Sequence, residues 1–147
     1  MIPQSLSSNV KLLDIEHPIN ARLSDRVMLL GYNIQGEVNP GKALQLTLFW
    51  QPLAATDSNY KVFVHVVDQQ GAPLAQRDSE PVSGFYPTSR WQVGEIIRDQ
   101  YEIPFTDDSG EKAKGMRIGM YEPATGERLP VTLADGTIPE DRAIALP

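Results

Sequence analysis

The residues best suited to chemistry in this sequence are aromatic and polar side chains in one short segment, residues 84–95. Tyr86 and Trp91 offer flat ring faces that could stack on the C–H groups of a sugar ring. Arg90 lies between them in the sequence, and its guanidinium could hydrogen-bond to sugar hydroxyls. The segment therefore predicts a carbohydrate-binding site formed by Tyr86, Arg90 and Trp91.

A structural interpretation of the same segment competes with this one, and we favour it because aromatic side chains most often pack in cores. In this interpretation the segment is a long loop that crosses from one sheet to another. Phe85 and Trp91 would anchor the loop in the core, and Pro87 would shape its path. Tyr86 and Arg90 would then be the side chains left for a ligand.

Nucleophilic catalysis and metal binding find little support in the sequence. The chain has no cysteine and only two histidines, which lie too far apart for a zinc-ligand motif. His65 falls among alternating apolar residues and is predicted to be half-buried and structural, whereas His17 precedes Pro18 in a predicted solvated loop. Residues 107–111 lack the full calcium-loop pattern, so they predict a solvated turn. We expect no cofactor.

Carboxylates near the aromatic segment could form a general acid–base pair for glycoside hydrolysis. They are Asp78, Glu80, Glu95 and Asp99. Asp99 is unusual, because alternation places it among apolar residues that face a core, where a charge requires a partner. Arg77, Arg90 or Arg98 could supply that partner. We therefore predict a structural role for Asp99, and we predict that the protein is not an enzyme.

Composition and charge limit the classes of partner. The 147 residues suit one domain, and 41% of them are hydrophobic, which is enough for a core. A net charge of −6 without a Lys/Arg cluster argues against nucleic acid. No apolar run reaches the roughly 18 residues that cross a bilayer. We predict one soluble domain over residues 1–147, with residues 1–9 as a loose lead-in, which could be part of a larger membrane protein.

Alternating apolar residues predict short strands along most of the chain. The predicted strands cover residues 10–15, 27–34, 44–50, 60–67, 74–82, 97–103, 116–120, 129–133 and 143–146. Residues 27–34 are apolar on both faces and predict a central strand, whereas prolines flanking residues 74–82 predict an edge strand. The runs 44–50 and 60–67 are predicted to be neighbours in one sheet. The whole pattern predicts an all-β, two-sheet, immunoglobulin-like β-sandwich of about eight or nine strands.

Several motifs occur in a characteristic order: LGY at 30–32, LTLFW at 46–50, VFVHVVD at 62–68, AQRD at 75–78, GFYPTSRW at 84–91, GE at 94–95 and GMYEPATGERL at 119–129. With them, the chain from about residue 22 to residue 133 resembles the β-sandwich domain at the C-terminal end of some bacterial multi-spanning membrane proteins. Those proteins are similar to dolichyl-phosphate-mannose-type glycosyltransferases. The resemblance implies an extracytoplasmic accessory module and supplies no catalytic residues. Residues 106–114 depart from it, because they are polar and charged where a Pro/Gly loop is expected.

These observations together predict a non-catalytic accessory domain of a membrane-anchored glycosyltransferase-like protein. It would lie on the extracytoplasmic side of the bacterial cytoplasmic membrane and bind or position a glycan or a protein partner. Two alternatives remain open. A purely structural spacer or protein-interaction module predicts that Phe85 and Trp91 are buried and that no concave aromatic surface exists. A small sandwich-fold hydrolase predicts two carboxylates about 5–10 Å apart in an open cleft.

Overall fold

The computed structural model describes residues 15–36, 43–104 and 113–147. In these ranges the chain forms nine strands: β1 (His17–Leu23), β2 (Val27–Gln35), β3 (Ala43–Pro52), β4 (Lys61–Val67), β5 (Pro73–Ser79), β6 (Ile97–Pro104), β7 (Gly115–Tyr121), β8 (Val131–Thr132) and β9 (Ile144–Leu146). The predicted lead-in at 1–9 and the predicted turn at 107–111 lie outside the described residues. So does the predicted strand at 10–15, except for Ile15, which precedes β1.

The strands form two antiparallel sheets. The five-stranded sheet has the order β6-β3-β2-β1-β8, and the four-stranded sheet has the order β5-β4-β7-β9. This arrangement confirms the predicted all-β, two-sheet β-sandwich. β2 lies between β1 and β3, and β5 lies at a sheet edge, as their sequences predicted.

The prediction that the runs 44–50 and 60–67 are neighbours in one sheet is wrong. β3 pairs with β2 and β6, whereas β4 pairs with β5 and β7 in the other sheet. After β3 the chain leaves the five-stranded sheet. At this point the main-chain N–H of Leu53 donates to the carbonyl oxygen of Arg26 at 2.7 Å. Alternation gives each strand a buried face, but it does not say to which sheet that face belongs.

The core lies between the two sheets and is built from alternate residues of their strands. β3 directs Leu44, Leu46, Leu48 and Trp50 inward, and each is at most 3% exposed. Burial of one such side chain stabilises the fold by about 1.5–3 kcal/mol. The opposite residues of β2, β3 and β6 are consequently left on the outer face of the five-stranded sheet, where the groove described below forms.

β1 is a strand that the sequence did not predict, and it corrects the placement of His17 in a loop. Asn20 adopts a left-handed conformation with φ 56°, and the β1–β2 register shifts between Pro18 and Ala21. This bulge breaks the alternation on which strand prediction depends. At Gly31 of β2, a Cβ atom would lie 2.5 Å from the carbonyl oxygen of His17, so glycine permits this close approach.

Candidate functional site

The aromatic segment is the crossover between the two sheets, as the structural interpretation predicted. It leaves β5 at the edge of the four-stranded sheet and enters β6 at the edge of the five-stranded sheet. The crossover contains two short 3-10 turns, Pro81–Gly84 and Thr88–Arg90. The buried Thr88 hydroxyl donates to the carbonyl oxygen of Ser58 at 2.6 Å and accepts from the N–H of Tyr60 at 3.0 Å. These bonds fix the crossover to the connection that precedes β4.

Only one of the two predicted aromatic anchors is in the core. Trp91 is 6% exposed, and its indole N–H donates to the carbonyl oxygen of Tyr86 at 2.8 Å. Phe85 is 83% exposed, so its predicted burial is wrong. Val82 and Ser83 are left-handed, with φ 56° and 53°, and this turn packs Val82 instead of Phe85 against the core.

The three predicted sugar-binding residues lie on this one loop but do not form a stacking surface together. Trp91 is buried and leaves no open ring face. Tyr86 is partly buried, and its hydroxyl donates to the carboxylate of Glu95. That hydrogen bond, with a smaller contribution from burial, raises the pKa of Tyr86 to about 12. Arg90 is exposed. Sugar binding by Tyr86, Arg90 and Trp91 stays a prediction.

Asp99 is fully buried, and neutral groups rather than arginine satisfy its carboxylate. Oδ2 accepts from the indole N–H of Trp50 at 3.1 Å and from the hydroxyl of Tyr101 at 2.6 Å, and Oδ1 accepts from the N–H of Val82 at 2.8 Å. Burial raises the pKa of Asp99, and the three hydrogen bonds oppose that shift. Since Val82 is left-handed, the carboxylate holds the crossover in a conformation that a β-branched residue rarely adopts.

His65 lies on the outer face of the four-stranded sheet and is half-buried, as its sequence context predicted. Its Nε2 is 3.6 Å from Oδ1 of Asp78, and the hydroxyl of Tyr121 donates to Oδ2 of the same carboxylate at 3.0 Å. The His65 ring also contacts Phe63, with 5.0 Å between the centroids. Burial lowers the pKa of His65; the Asp78 carboxylate opposes this shift, and the positive charge of Arg128 adds to it.

The lowered pKa of His65 predicts a loss of stability in mild acid. Below the ordinary histidine pKa of about 6.5, protonation favours the unfolded chain, because the folded protein binds this proton less readily. The stability contributed by neutral His65 is fully present above about pH 6.5. It is lost as the pH falls through the lower pKa that His65 has in the folded protein. Chemical denaturation between about pH 8 and pH 5 measures this fall. His65→Gln should flatten the profile, whereas His17→Gln, which retains His65, should keep it; equal profiles for both variants would contradict the prediction.

Outward-facing residues form a regular array on the outer face of β2, β3 and β6. The strand register aligns them in three cross-strand rows: Gly31, Phe49 and Arg98; Asn33, Thr47 and Gln100; Gln35, Gln45 and Glu102. Strands about 4.8 Å apart and a rise of about 3.4 Å per residue give an array of about 10 Å by 14 Å. These residues carry no distinguishing pattern in the sequence, because polar side chains are the default on the solvent face of a strand.

Seven of these nine residues line a polar groove with a volume of about 490 Å³, which is within the range of small-ligand sites. The groove is lined by Glu16, Asn33, Gln35, Gln45, Leu46, Thr47, Phe49, Arg98 and Gln100. Leu46 and Phe49 are each only 1% exposed, so the surface offered to a ligand is polar. The guanidinium of Arg98 lies 5.6 Å from the ring centroid of Phe49 and covers it. Four carboxamides therefore dominate the groove.

The segment before β1 forms one side of this groove. The main-chain N–H of Glu16 donates to the side-chain oxygen of Asn33 at 2.7 Å. This bond fixes the orientation of the Asn33 carboxamide, because its oxygen must face Glu16 and its NH₂ group then points the other way. Glu16 and Arg98 place one negative and one positive charge in the groove lining.

The fold and the groove define an antiparallel β-sandwich domain with a carboxamide-lined groove on one sheet face. Comparison with protein-family models, with curated proteins and with solved structures finds no match to this chain. In the described ranges there is no helix that could span a bilayer. In those same ranges, no group of three or more His, Asp or Glu side chains is placed to hold a metal ion.

Proposed function

We propose that this protein is a non-catalytic glycan-binding domain whose site is the groove on the outer face of β2, β3 and β6. The observation that carries the proposal is the set of four carboxamides, Asn33, Gln35, Gln45 and Gln100, on one concave surface. A carboxamide offers both donors and an acceptor, and a sugar hydroxyl does the same, so Gln35, Gln45 and Gln100 can pair with hydroxyls in either direction, whereas the Asn33 oxygen already accepts from Glu16. The opposite charges of Glu16 and Arg98 suit a neutral glycan better than a polyanion.

The polarity of the groove favours a glycan over a protein in this site. Protein interfaces depend on a few buried aromatic or aliphatic anchors that fill apolar pockets. The groove offers no such pocket, because its two apolar residues, Leu46 and Phe49, are almost completely covered. The binding energy must then come from hydrogen bonds to the array, which is the mode that hydroxyl-rich ligands use.

The accessory role rests on the resemblance of the sequence. In this proposal the domain belongs to a membrane-anchored glycosyltransferase-like protein, lies outside the bacterial cytoplasmic membrane, and positions the glycan on which that protein acts. The groove is compatible with this role, because a shallow polar surface holds a ligand without enclosing it. The domain would then supply binding, and the parent protein would supply chemistry.

Binding to a panel of linear neutral polysaccharides tests the proposal. Glucans, mannans and galactans are titrated against the wild type and against three variants, Arg98→Ala in the groove and Arg90→Ala and Tyr86→Ala on the crossover. We expect Arg98→Ala to weaken binding about tenfold, which corresponds to about 1.4 kcal/mol, and Arg90→Ala to leave it unchanged. Loss of binding in Arg90→Ala and Tyr86→Ala alone would assign the site to the crossover, and no binding at millimolar ligand would remove the glycan function.

A second candidate function, a protein-interaction module, is favoured by one specific observation. Phe85 and Val93, both on the crossover, are 83% and 60% exposed. A large exposed aromatic on a loop that is held in place suits docking into an apolar pocket of another protein. Sedimentation of the wild type and of Phe85→Ala at rising concentration tests one form of this function, self-association, which the variant should abolish.

Chromatography of the titrated glycans tests the hydrolase alternative, which predicts shorter products.

A further inference from the structure

A second polar cavity lies at the side of the sandwich, beside β6. It has a volume of about 290 Å³ and is lined by Gln45, Arg77, Ser79, Ser83, Gln100, Tyr101 and Glu102. β5 and β6 are edge strands of their respective sheets, and the crossover joins them. The cavity is therefore a cleft between two sheet edges, and we call it the edge cleft.

The edge cleft and the groove adjoin each other. Gln45 and Gln100 line both of them, so the two cavities meet at these residues. Gln100 is an exposed residue of β6 itself, and its carboxamide marks the point where the outer face of the sheet ends. A polar path thus runs from the array on the sheet, across β6, and into the cleft.

The main chain of β6 adds hydrogen-bonding groups to this path. β6 forms its ladder with β3 alone. Outside that ladder, Ile97–Pro104 makes no main-chain to main-chain hydrogen bond with any other part of the chain that the structure describes. In an edge strand, alternate N–H and C=O groups point away from the sheet. On β6 these groups lie along the border between the groove and the edge cleft.

The side chains of the edge cleft suit the same kind of ligand as the groove. Ser79 and Ser83 contribute hydroxyls, and Arg77 and Glu102 contribute one charge of each sign. Neither Arg77 nor Arg98 lies within ion-pair distance of a carboxylate among the described residues, so both guanidiniums can donate to sugar oxygens. Arg77 and Glu102 balance each other's charge in the cleft, as Glu16 and Arg98 do in the groove, and this balance again favours an uncharged ligand.

The wall of the cleft at Ser83 is held in place by the buried carboxylate. Ser83 follows Val82, whose N–H is bound by Asp99, and both residues have left-handed φ angles. Tyr101, which is 5% exposed, donates to the same carboxylate and forms the inner side of the cleft. A fixed wall reduces the conformational entropy that binding would otherwise remove.

We propose that the ligand is a linear, neutral oligosaccharide that lies in the groove and continues across β6 into the edge cleft, which is its second subsite. This inference rests on the proposed function, because it assumes that the groove binds a glycan. It goes further in naming the ligand as an extended chain and in assigning Arg77, Ser79 and Ser83 to its far end. A disaccharide would occupy the groove, and only a longer chain would reach Arg77.

Titration with oligosaccharides of graded length tests the inference. Cello- and manno-oligosaccharides of two, four and six units are titrated by calorimetry against the wild type, Arg77→Ala, and a control, Arg117→Ala, which lies on β7 and lines neither the groove nor the edge cleft. For the series that binds, we expect affinity to rise at least tenfold from the dimer to the hexamer. Arg77→Ala should remove this rise and keep the affinity for the dimer, whereas Arg117→Ala should change neither.

The outcomes separate the inference from the proposed function. Binding that is independent of chain length, or an equal loss for dimer and hexamer in Arg77→Ala, overturns the second subsite and leaves glycan binding in the groove intact. Absence of binding at every length overturns the proposed function together with the subsite. Circular dichroism of each variant establishes that it is folded, so that a loss of binding reports on the subsite.

Discussion

We expect Asp99→Ala to lower the free energy of unfolding by about 3 kcal/mol, because three donors lose their acceptor inside the core. The indole N–H of Trp50, the hydroxyl of Tyr101 and the N–H of Val82 all bind this one carboxylate. Each buried donor left without a partner costs about 1–3 kcal/mol, and part of this cost is offset because the buried charge is also removed. Against the 5–15 kcal/mol that stabilises a typical domain, such a loss is large. Equilibrium denaturation in urea measures it.

Two further variants isolate the cause of this destabilisation. Asp99→Asn keeps one acceptor oxygen but introduces an NH₂ group, so we expect a smaller loss of about 1–2 kcal/mol. Glu102→Ala, at an exposed position of the same strand, should change stability by less than about 0.5 kcal/mol. An Asp99→Ala variant that is as stable as Glu102→Ala would show that the network does not hold the crossover.

We expect Trp91→Ala to lower the free energy of unfolding by about 3–5 kcal/mol and Phe85→Ala to change it by less than about 0.5 kcal/mol. The two aromatic residues lie on the same loop, but only Trp91 is in the core, where its removal leaves a cavity. The truncated side chain also takes away the indole N–H that binds the carbonyl oxygen of Tyr86. Thermal and urea denaturation of the pair measure the difference. A larger loss in Phe85→Ala than in Trp91→Ala would contradict the structure of the crossover.

The strands that the sequence predicted well are those with regular alternation. β3, β4, β6 and β7 have apolar core residues at every second position, except for Asp99 in β6, and this period of two indicates a strand with one face toward the core. The edge position of β5 followed from Pro73 and Pro81, because proline cannot donate to a sheet ladder. These features are local, so a single sequence contains them.

The features that the sequence did not predict depend on long-range geometry or on unusual backbone conformations. β1 has a bulge and a left-handed Asn20, which interrupt its alternation. The assignment of β3 and β4 to different sheets is set by the path of the connection between them. Phe85 is exposed because Val82 and Ser83 adopt left-handed conformations that a non-glycine sequence does not signal.

In the candidate site, too, the sequence predicts local features but not long-range contacts. Alternation correctly placed Asp99 in the core, but its partners were taken to be arginines, since a charge suggests an opposite charge. The structure supplies Trp50, Tyr101 and the N–H of Val82, which come from three separate elements and cannot be matched by spacing. The groove was missed because its carboxamides are unremarkable within each strand. They form a surface only when β2, β3 and β6 align in register.

The most direct test of the proposed glycan site is an NMR titration that follows side-chain NH₂ signals. ¹⁵N-labelled protein is titrated with the neutral oligosaccharide series, and each NH₂ pair is observed separately. We predict that the signals of the four groove carboxamides, Asn33, Gln35, Gln45 and Gln100, shift together with one saturation curve. The signals of Gln70 and Gln92, outside the groove, should stay in place. Shifts confined to Gln92 and the crossover, or no shifts in the groove at saturating ligand, would contradict the account.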